Sequence, residues 1–173
     1  MTRSVALLRG INVGPTTKVP MAVLRMLFES AGATDVVTLL NSGNVLFSGT
    51  VDAPALLARI RAETGVQTHL LVVPGEQLRR IEAAFPFEGD ESRLVIAFMP
   101  FVPAVELPSG LEPELIALGK EAVYQSLPDG VSSTKLKPAF WKQFPSETTA
   151  RNLRTVRKLV ELLDAPPASV GPA

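Results

Sequence analysis

The chain contains no cysteine, which excludes a disulfide framework, a thiolate nucleophile and a zinc–sulfur site. A single histidine, His69, leaves too few imidazoles for a transition-metal centre, so the sequence implies no metal and no cofactor. His69 sits among leucines and valines with no carboxylate or nucleophile nearby in sequence, and reads as a core or edge-strand residue. Long apolar runs are also missing. None approaches the roughly 18 residues of a membrane span. The apolar stretch that follows Thr2-Arg3 is shorter than the roughly 7–15 residues of a secretory core. These absences are those of a cytoplasmic protein with no membrane partner. Aromatic residues make up only 6% of the chain, and Ser4 to Leu8, the first strand candidate, has none. Stacking of single-stranded nucleic acid on a sheet face is therefore disfavoured.

What is present suits an ordinary globular protein: 173 residues, 46% hydrophobic and 20% charged, enough for one domain or two small lobes. Net charge is zero, but it is unevenly distributed. The first 28 residues carry Arg3, Arg9, Lys18 and Arg25 and no acid. Residues 133–158 carry Lys135, Lys137, Lys142, Arg151, Arg154, Arg157 and Lys158 against Glu147 alone. The acids concentrate between Glu82 and Glu121. Basic ends of this kind either attract an anionic ligand or form solvated helix faces.

The first half is legible element by element. Ser4 to Leu8 is a strand, and Pro20 opens a helix with Met21, Leu24, Leu27, Phe28 and Ala31 on one face, stopped by Gly32. Val36 to Leu40 and Val45 to Phe47 are strands joined by Asn41-Ser42-Gly43-Asn44, a hairpin signal. Asp52 caps a second helix ended by Gly65, and His69 to Val73 is a fourth strand. The order βαββαβ is the ferredoxin-like unit. A helical crossover makes the first two strands parallel, with the third antiparallel between them. The loop after the first strand and the second-to-third-strand turn then emerge at the same sheet edge, beside the first helix N-terminus.

The second half is less regular. Glu76 to Ala84 reads as a helix, Leu94 to Met99 as a buried strand, Pro113 to Leu118 as a short helix and Glu121 to Leu127 as a strand. A helix is expected from Lys137-Pro138 and a final one from Thr149 to Leu163, followed by a frayed tail after Asp164. The expected fold class is α+β: a ferredoxin-like lobe over 1–74, a second α/β lobe over 75–130 that partly repeats the first, and C-terminal helices over 131–173 packed on both as one compact unit.

The Arg9–Lys18 loop concentrates the polar chemistry. Gly10 and Gly14 allow close backbone approach, Asn12 offers a donor and an acceptor, and Arg9 and Lys18 supply charge beside a helix start, the ingredients of an anion site. Its spacing matches neither a P-loop nor a dinucleotide fingerprint, which argues against ATP hydrolysis and nicotinamide chemistry. The bland alternative is that Gly10 and Gly14 only let the loop turn. Asn41, Ser42, Gly43 and Asn44 face this loop on the topology above and would add directional hydrogen bonds. Arg151 and Asn152, read as the opening turn of the last helix, complete the candidate set. There Arg151 would oppose the helix dipole unless a ligand or carboxylate held it. The Ser132–Lys135 spacing matches a serine acyl-enzyme string, but no companion element accompanies it. No catalytic residue can be named.

Taken together, Val5-Ala6-Leu7-Leu8-Arg9-Gly10-Ile11-Asn12-Val13-Gly14, Lys18-Val19-Pro20-Met21 and Leu40-Asn41-Ser42-Gly43-Asn44-Val45 resemble the opening of domain-of-unknown-function family 1697, a mainly bacterial group. Phe85-Pro86-Phe87, Lys135-Leu136 and Thr149-Ala150-Arg151-Asn152 extend the resemblance along the chain. It implies an α+β fold with ferredoxin-like lobes and names no reaction. The chain departs from the family pattern at Pro15-Thr16-Thr17, Ser133, Ala150 and Leu153. Two functional readings follow. One is a pocket for a small or nucleotide-like anion at the edge of the N-terminal sheet. The other is a non-catalytic module that binds protein or nucleic acid through the basic C-terminal helix. Neither the presence of an enzyme activity nor an oligomeric state can be read from the sequence.

Overall fold

The computed structural model describes residues 2–167; the end of the tail expected to fray, residues 168–173, lies outside them. The chain divides into two compact units, Met1–Leu78 with Leu159–Ala173, and Arg79–Lys158. Each is built on a four-stranded sheet in which every pairing is antiparallel.

The first unit runs β1 (Arg3–Arg9), α1 (Met21–Ser30), β2 (Thr34–Leu39), β3 (Asn44–Ser48), α2 (Ala53–Thr64) and β4 (His69–Pro74). Its sheet has the order β2-β3-β1-β4. Since β3 is antiparallel to both β1 and β2, those two run parallel, and the lobe is ferredoxin-like. Helices α1 and α2 bring Leu24, Leu27, Phe28, Leu56 and Ile60 against Ala6, Leu8, Val45 and Phe47 in one core, with the Phe28 and Phe47 rings 5.4 Å apart. Each fully buried side chain of this size contributes on the order of 1.5–3 kcal/mol, so packing rather than intrinsic propensity holds these short helices. Asp52 caps α2 by accepting from the Ala55 N–H at 3.0 Å, and Gly65 ends it with φ 73°. His69 is exposed on β4, an edge strand.

The second unit takes up the end of α3 (Gly75–Ala83) and continues through β5 (Leu94–Phe98), β6 (Leu115–Leu118), β7 (Ala122–Ser126), a 3₁₀ turn (Val131–Ser133), α4 (Pro138–Trp141), β8 (Thr149–Asn152) and the start of α5 (Leu153–Asp164). Its sheet order, β6-β7-β5-β8, repeats that of the first sheet position by position. The crossover from β5 to β6 carries no helix. Val102, Val105 and Leu111 of this irregular strap pack with Phe140, Trp141 and Phe144 of the α4 region over Ala97 and Val123.

Two segments expected to be helical are strands. Leu115–Leu118 is strand β6 rather than helix, in register with β7 through Leu118 and Val123; a short apolar run carries no periodicity that separates the two states. Thr149–Asn152 is strand β8, paired to β5 through Ile96 and Arg151. The last helix begins only at Leu153, where Asn152 Oδ1 accepts from the Thr155 N–H at 2.9 Å and caps it. Arg151 is therefore outside the helix and does not oppose its dipole.

Candidate functional site

Past the end of β1 the chain turns sharply, with Gly10 at φ 66° and Asn12 at φ 55°. Asparagine tolerates this left-handed region because its short amide bonds locally. Asn12 Oδ1 accepts from the Val19 N–H at 2.8 Å, and Nδ2 donates to the Val19 carbonyl at 3.0 Å. The same Nδ2 donates to the Asn41 carbonyl at 2.7 Å. The first two bonds close the loop on itself; the third fastens it to the β2–β3 turn. Inside the loop, the Thr17 hydroxyl accepts from the Val13 N–H, and the Asn12 N–H donates to the Thr17 carbonyl.

The β2–β3 turn has its own reasons to sit there. A Cβ on Gly43 would lie 2.7 Å from Ile11 Cδ1 and 2.8 Å from Leu8 Cβ, at φ 86°. Only glycine lets the turn rest against the end of β1, where the Leu8 N–H donates to the Gly43 carbonyl at 2.9 Å. Asn44 is fully buried, and its Nδ2 donates to the Leu39 carbonyl at 2.8 Å and to Ser42 Oγ at 3.0 Å. The two bends meet, as the crossover topology requires. The amides of Asn12 and Asn44, however, are engaged in structure: Asn12 fastens one bend to the other, and Asn44 braces the β2–β3 turn from within.

Between the bends lies an open recess of about 430 Å³ lined by Asn12, Gly14, Lys18, Pro20, Met21 and Asn41. Lys18 is exposed, and its ammonium has no partner among the described residues. Helix α1 starts at this recess with no capping side chain and no acid in its first turn. Its first intrahelical bond runs from the Leu24 N–H to the Pro20 carbonyl, so the amides of Met21, Ala22 and Val23 are those a helix leaves without an internal acceptor.

Of the residues singled out in the sequence, Asn12, Gly14, Lys18 and Asn41 line the recess, while Gly10, Gly43 and Asn44 shape the bends that frame it. Arg9 is exposed at the end of β1, and Ser42 is exposed on the turn. Arg151 and Asn152 belong to the second unit. Arg151 is buried there; its Nη1 donates to Thr149 Oγ1 and to the Ala150 carbonyl, both at 2.8 Å. Burial lowers its pKa to about 10, which still leaves it charged at neutral pH. Sequence reasoning missed Met21 as a wall of the recess. It also missed Glu114, a buried carboxylate that accepts from the Thr134 hydroxyl at 2.7 Å and the Lys135 N–H at 2.6 Å. No local signal marked Glu114, because its partners lie some twenty residues further along the chain.

The basic face of α5 is matched by acids. Arg154 lies 3.7 Å from Asp90, and Arg157 pairs with Glu82 at 3.0 Å and with Glu91. Both faces of β1 and β3, the central strands of the first sheet, are buried. Among the described residues no group of three or more His, Asp or Glu side chains could hold a metal ion, and no helix is long and apolar enough to cross a membrane.

Fold and recess together define an α+β protein with a ferredoxin-like lobe and a loop-built polar recess at one sheet edge. The chain belongs to the family described as protein of unknown function (DUF1697), whose model matches residues 1–124. The match takes in β1 to β6 and reaches into β7. The chain is also similar to a solved structure, that of a conserved bacterial protein from Streptococcus pneumoniae, at 24% identity and a TM-score of 0.67. The alignment covers 95% of this chain and 99% of that one. At that identity the likeness concerns the fold. No curated protein matches the chain.

Proposed function

We propose that the recess between the β1–α1 loop and the β2–β3 turn binds a small or nucleotide-like anion. The observation that carries this reading is the uncapped, acid-free start of α1 opening onto a recess where, among the described residues, the one lining cation, Lys18, has no partner. Helix N-termini favour negative charge by about 0.3–1 kcal/mol when exposed, and their free amides are aimed at a bound anion. Lys18 adds a contribution of similar size, and Gly14 lets a ligand approach the backbone. Asn12 and Asn44 act as struts that fix the bends rather than as readers of the ligand. With so few exposed contacts, affinity for a simple anion falls in the millimolar range.

Among the described residues the lining holds no carboxylate and no histidine, so no general base is assigned and the reading is of binding, not of a reaction. A cytoplasmic, bacterial setting belongs to the same reading. The competing view, nucleic-acid binding through the basic C-terminal helix, gains no support from a face on which Arg154 and Arg157 are already ion-paired.

A thermal-shift series with inorganic phosphate, nucleoside monophosphates and carboxylates tests the proposal. Stabilisation by one anion class should be lost in Lys18→Glu while the unliganded melting temperature is kept. Equal response of the wild type and Lys18→Glu to every anion would remove the site.

A further inference from the structure

The second unit has a recess of its own, of about 330 Å³, on the β6–β7 turn. In the repeated strand order this turn occupies the place that the β2–β3 turn holds in the first sheet. The Phe85-Pro86-Phe87 motif, which the first recess does not use, contributes to it. Pro86 lines the recess, and the Phe85 ring packs edge-on against Tyr124 at 5.4 Å.

The floor and walls are apolar. Tyr124 presents only its ring, because its buried hydroxyl donates to the Ile81 carbonyl at 2.8 Å. Ala84, Pro86 and Leu118 complete the apolar lining. The turn is pressed onto the tyrosine: a Cβ on Gly119 would lie 2.6 Å from its ring and 2.8 Å from the Ala122 carbonyl. Polarity is confined to the mouth. There the Arg80 guanidinium grips Glu121 through two bonds, Nε to Oε2 at 3.2 Å and Nη2 to Oε1 at 3.0 Å. Next to that pair Lys120 is exposed and has no partner among the described residues.

Two cations against one carboxylate leave the mouth positive, so it selects an anion over a cation. Away from the charged residues, the described lining side chains offer no free donor or acceptor for a second polar group, which a ligand could bury against them only at a desolvation cost. The volume is at the lower end of the roughly 300–1,000 Å³ of small-molecule sites. We infer that this recess takes a small monocarboxylic acid with an unbranched apolar body, its carboxylate at Lys120 and Arg80 and its chain against Leu118 and the Tyr124 ring. A purely structural Arg80–Glu121 pair, tying α3 to the turn, predicts no such selectivity.

The test is residue-resolved NMR titration of the intact chain with hexanoate, hexylamine and acetate. The expected result is saturable shifts at the amides of Gly119, Lys120 and Tyr124 with hexanoate, and little change with the other two. Lys120→Glu should weaken hexanoate by about five-fold, the scale of one exposed charge interaction of around 1 kcal/mol. Ala84→Leu, which fills the recess without altering charge, should weaken it as well. Equal shifts from hexanoate and hexylamine, shifts confined to the first unit, or hexanoate binding unchanged in both variants would each overturn the inference.

Discussion

The side-chain amide of Asn12 donates to the backbone carbonyl of Asn41 at 2.7 Å while its carbonyl oxygen accepts from the Val19 N–H at 2.8 Å. One side chain thus sets both the shape of the β1–α1 loop and its attachment to the β2–β3 turn. Asn12→Ala removes these bonds and keeps an unfavourable left-handed residue at φ 55°. The expected loss is about 2–3 kcal/mol in urea unfolding. Asn12→Gly relieves the backbone and should lose about 1 kcal/mol less. Equal losses in the two variants would show that the conformation at this position carries no strain.

Gly43 and Gly10 both have positive φ, but only Gly43 is hemmed in. Its Cβ would meet Ile11 and Leu8 within 2.8 Å, whereas Gly10 has nothing within 4 Å. Gly10→Ala should cost about 1 kcal/mol from backbone strain alone. Gly43→Ala adds overpacking and should cost about 2–4 kcal/mol. Side-by-side denaturation curves check the difference, and similar midpoints would show that the turn shifts freely away from β1.

Arg3 gathers the end of α5 onto the first sheet. Its Nη1 donates to the carbonyls of Leu162, Leu163 and Ala165 at 3.0, 2.9 and 2.8 Å. A cation at a helix C-terminus is favoured by both the dipole and these bonds. Arg3→Met keeps much of the aliphatic stem and should cost about 1–2 kcal/mol. Hydrogen exchange should quicken in the last turn of α5 before it does in α1. Uniform quickening throughout the unit would instead mean that Arg3 supports global stability only.

Tyr124 is the sole tyrosine, so its ionisation can be followed by tyrosinate absorbance without interference. Burial, and then the charge of Glu121, raise its pKa to about 12, against about 10 for a free tyrosine. The folded state therefore holds its proton more tightly than the unfolded state. The stability tied to this group is complete below pH 10 and is lost as pH rises through about 12. The folded protein should titrate near pH 12 and the urea-unfolded chain near pH 10. Tyr124→Phe should flatten the fall in stability across that window. A folded-state midpoint near pH 10 would contradict the hydroxyl's burial.

Much of the first lobe was legible because its signals are local. Pro20 at a helix start, Asp52 as a cap, Gly65 as a stop and Asn41-Ser42-Gly43-Asn44 as a turn each act within a few residues. The crossover rule then fixed which bends would meet. In the second lobe the same strand order is reached with an irregular strap where the first lobe has α1, so no helical period announced the repeat. Leu115–Leu118 and Thr149–Asn152 are too short to show a period, and their state was decided by distant partners on β7 and β5.

The sequence by itself determined the α+β class, the ferredoxin-like order of the first half and the gathering of its glycines and asparagines at one sheet edge. These follow from periodicity, caps and turn chemistry, which depend on near neighbours. Tertiary structure alone decided what those residues do there. The amide of Asn12 found a backbone partner in the neighbouring bend, and that of Asn44 found backbone and hydroxyl partners within its own turn, whereas Lys18 was left facing a recess, because hydrogen-bond satisfaction of a side chain depends on which groups folding brings within reach.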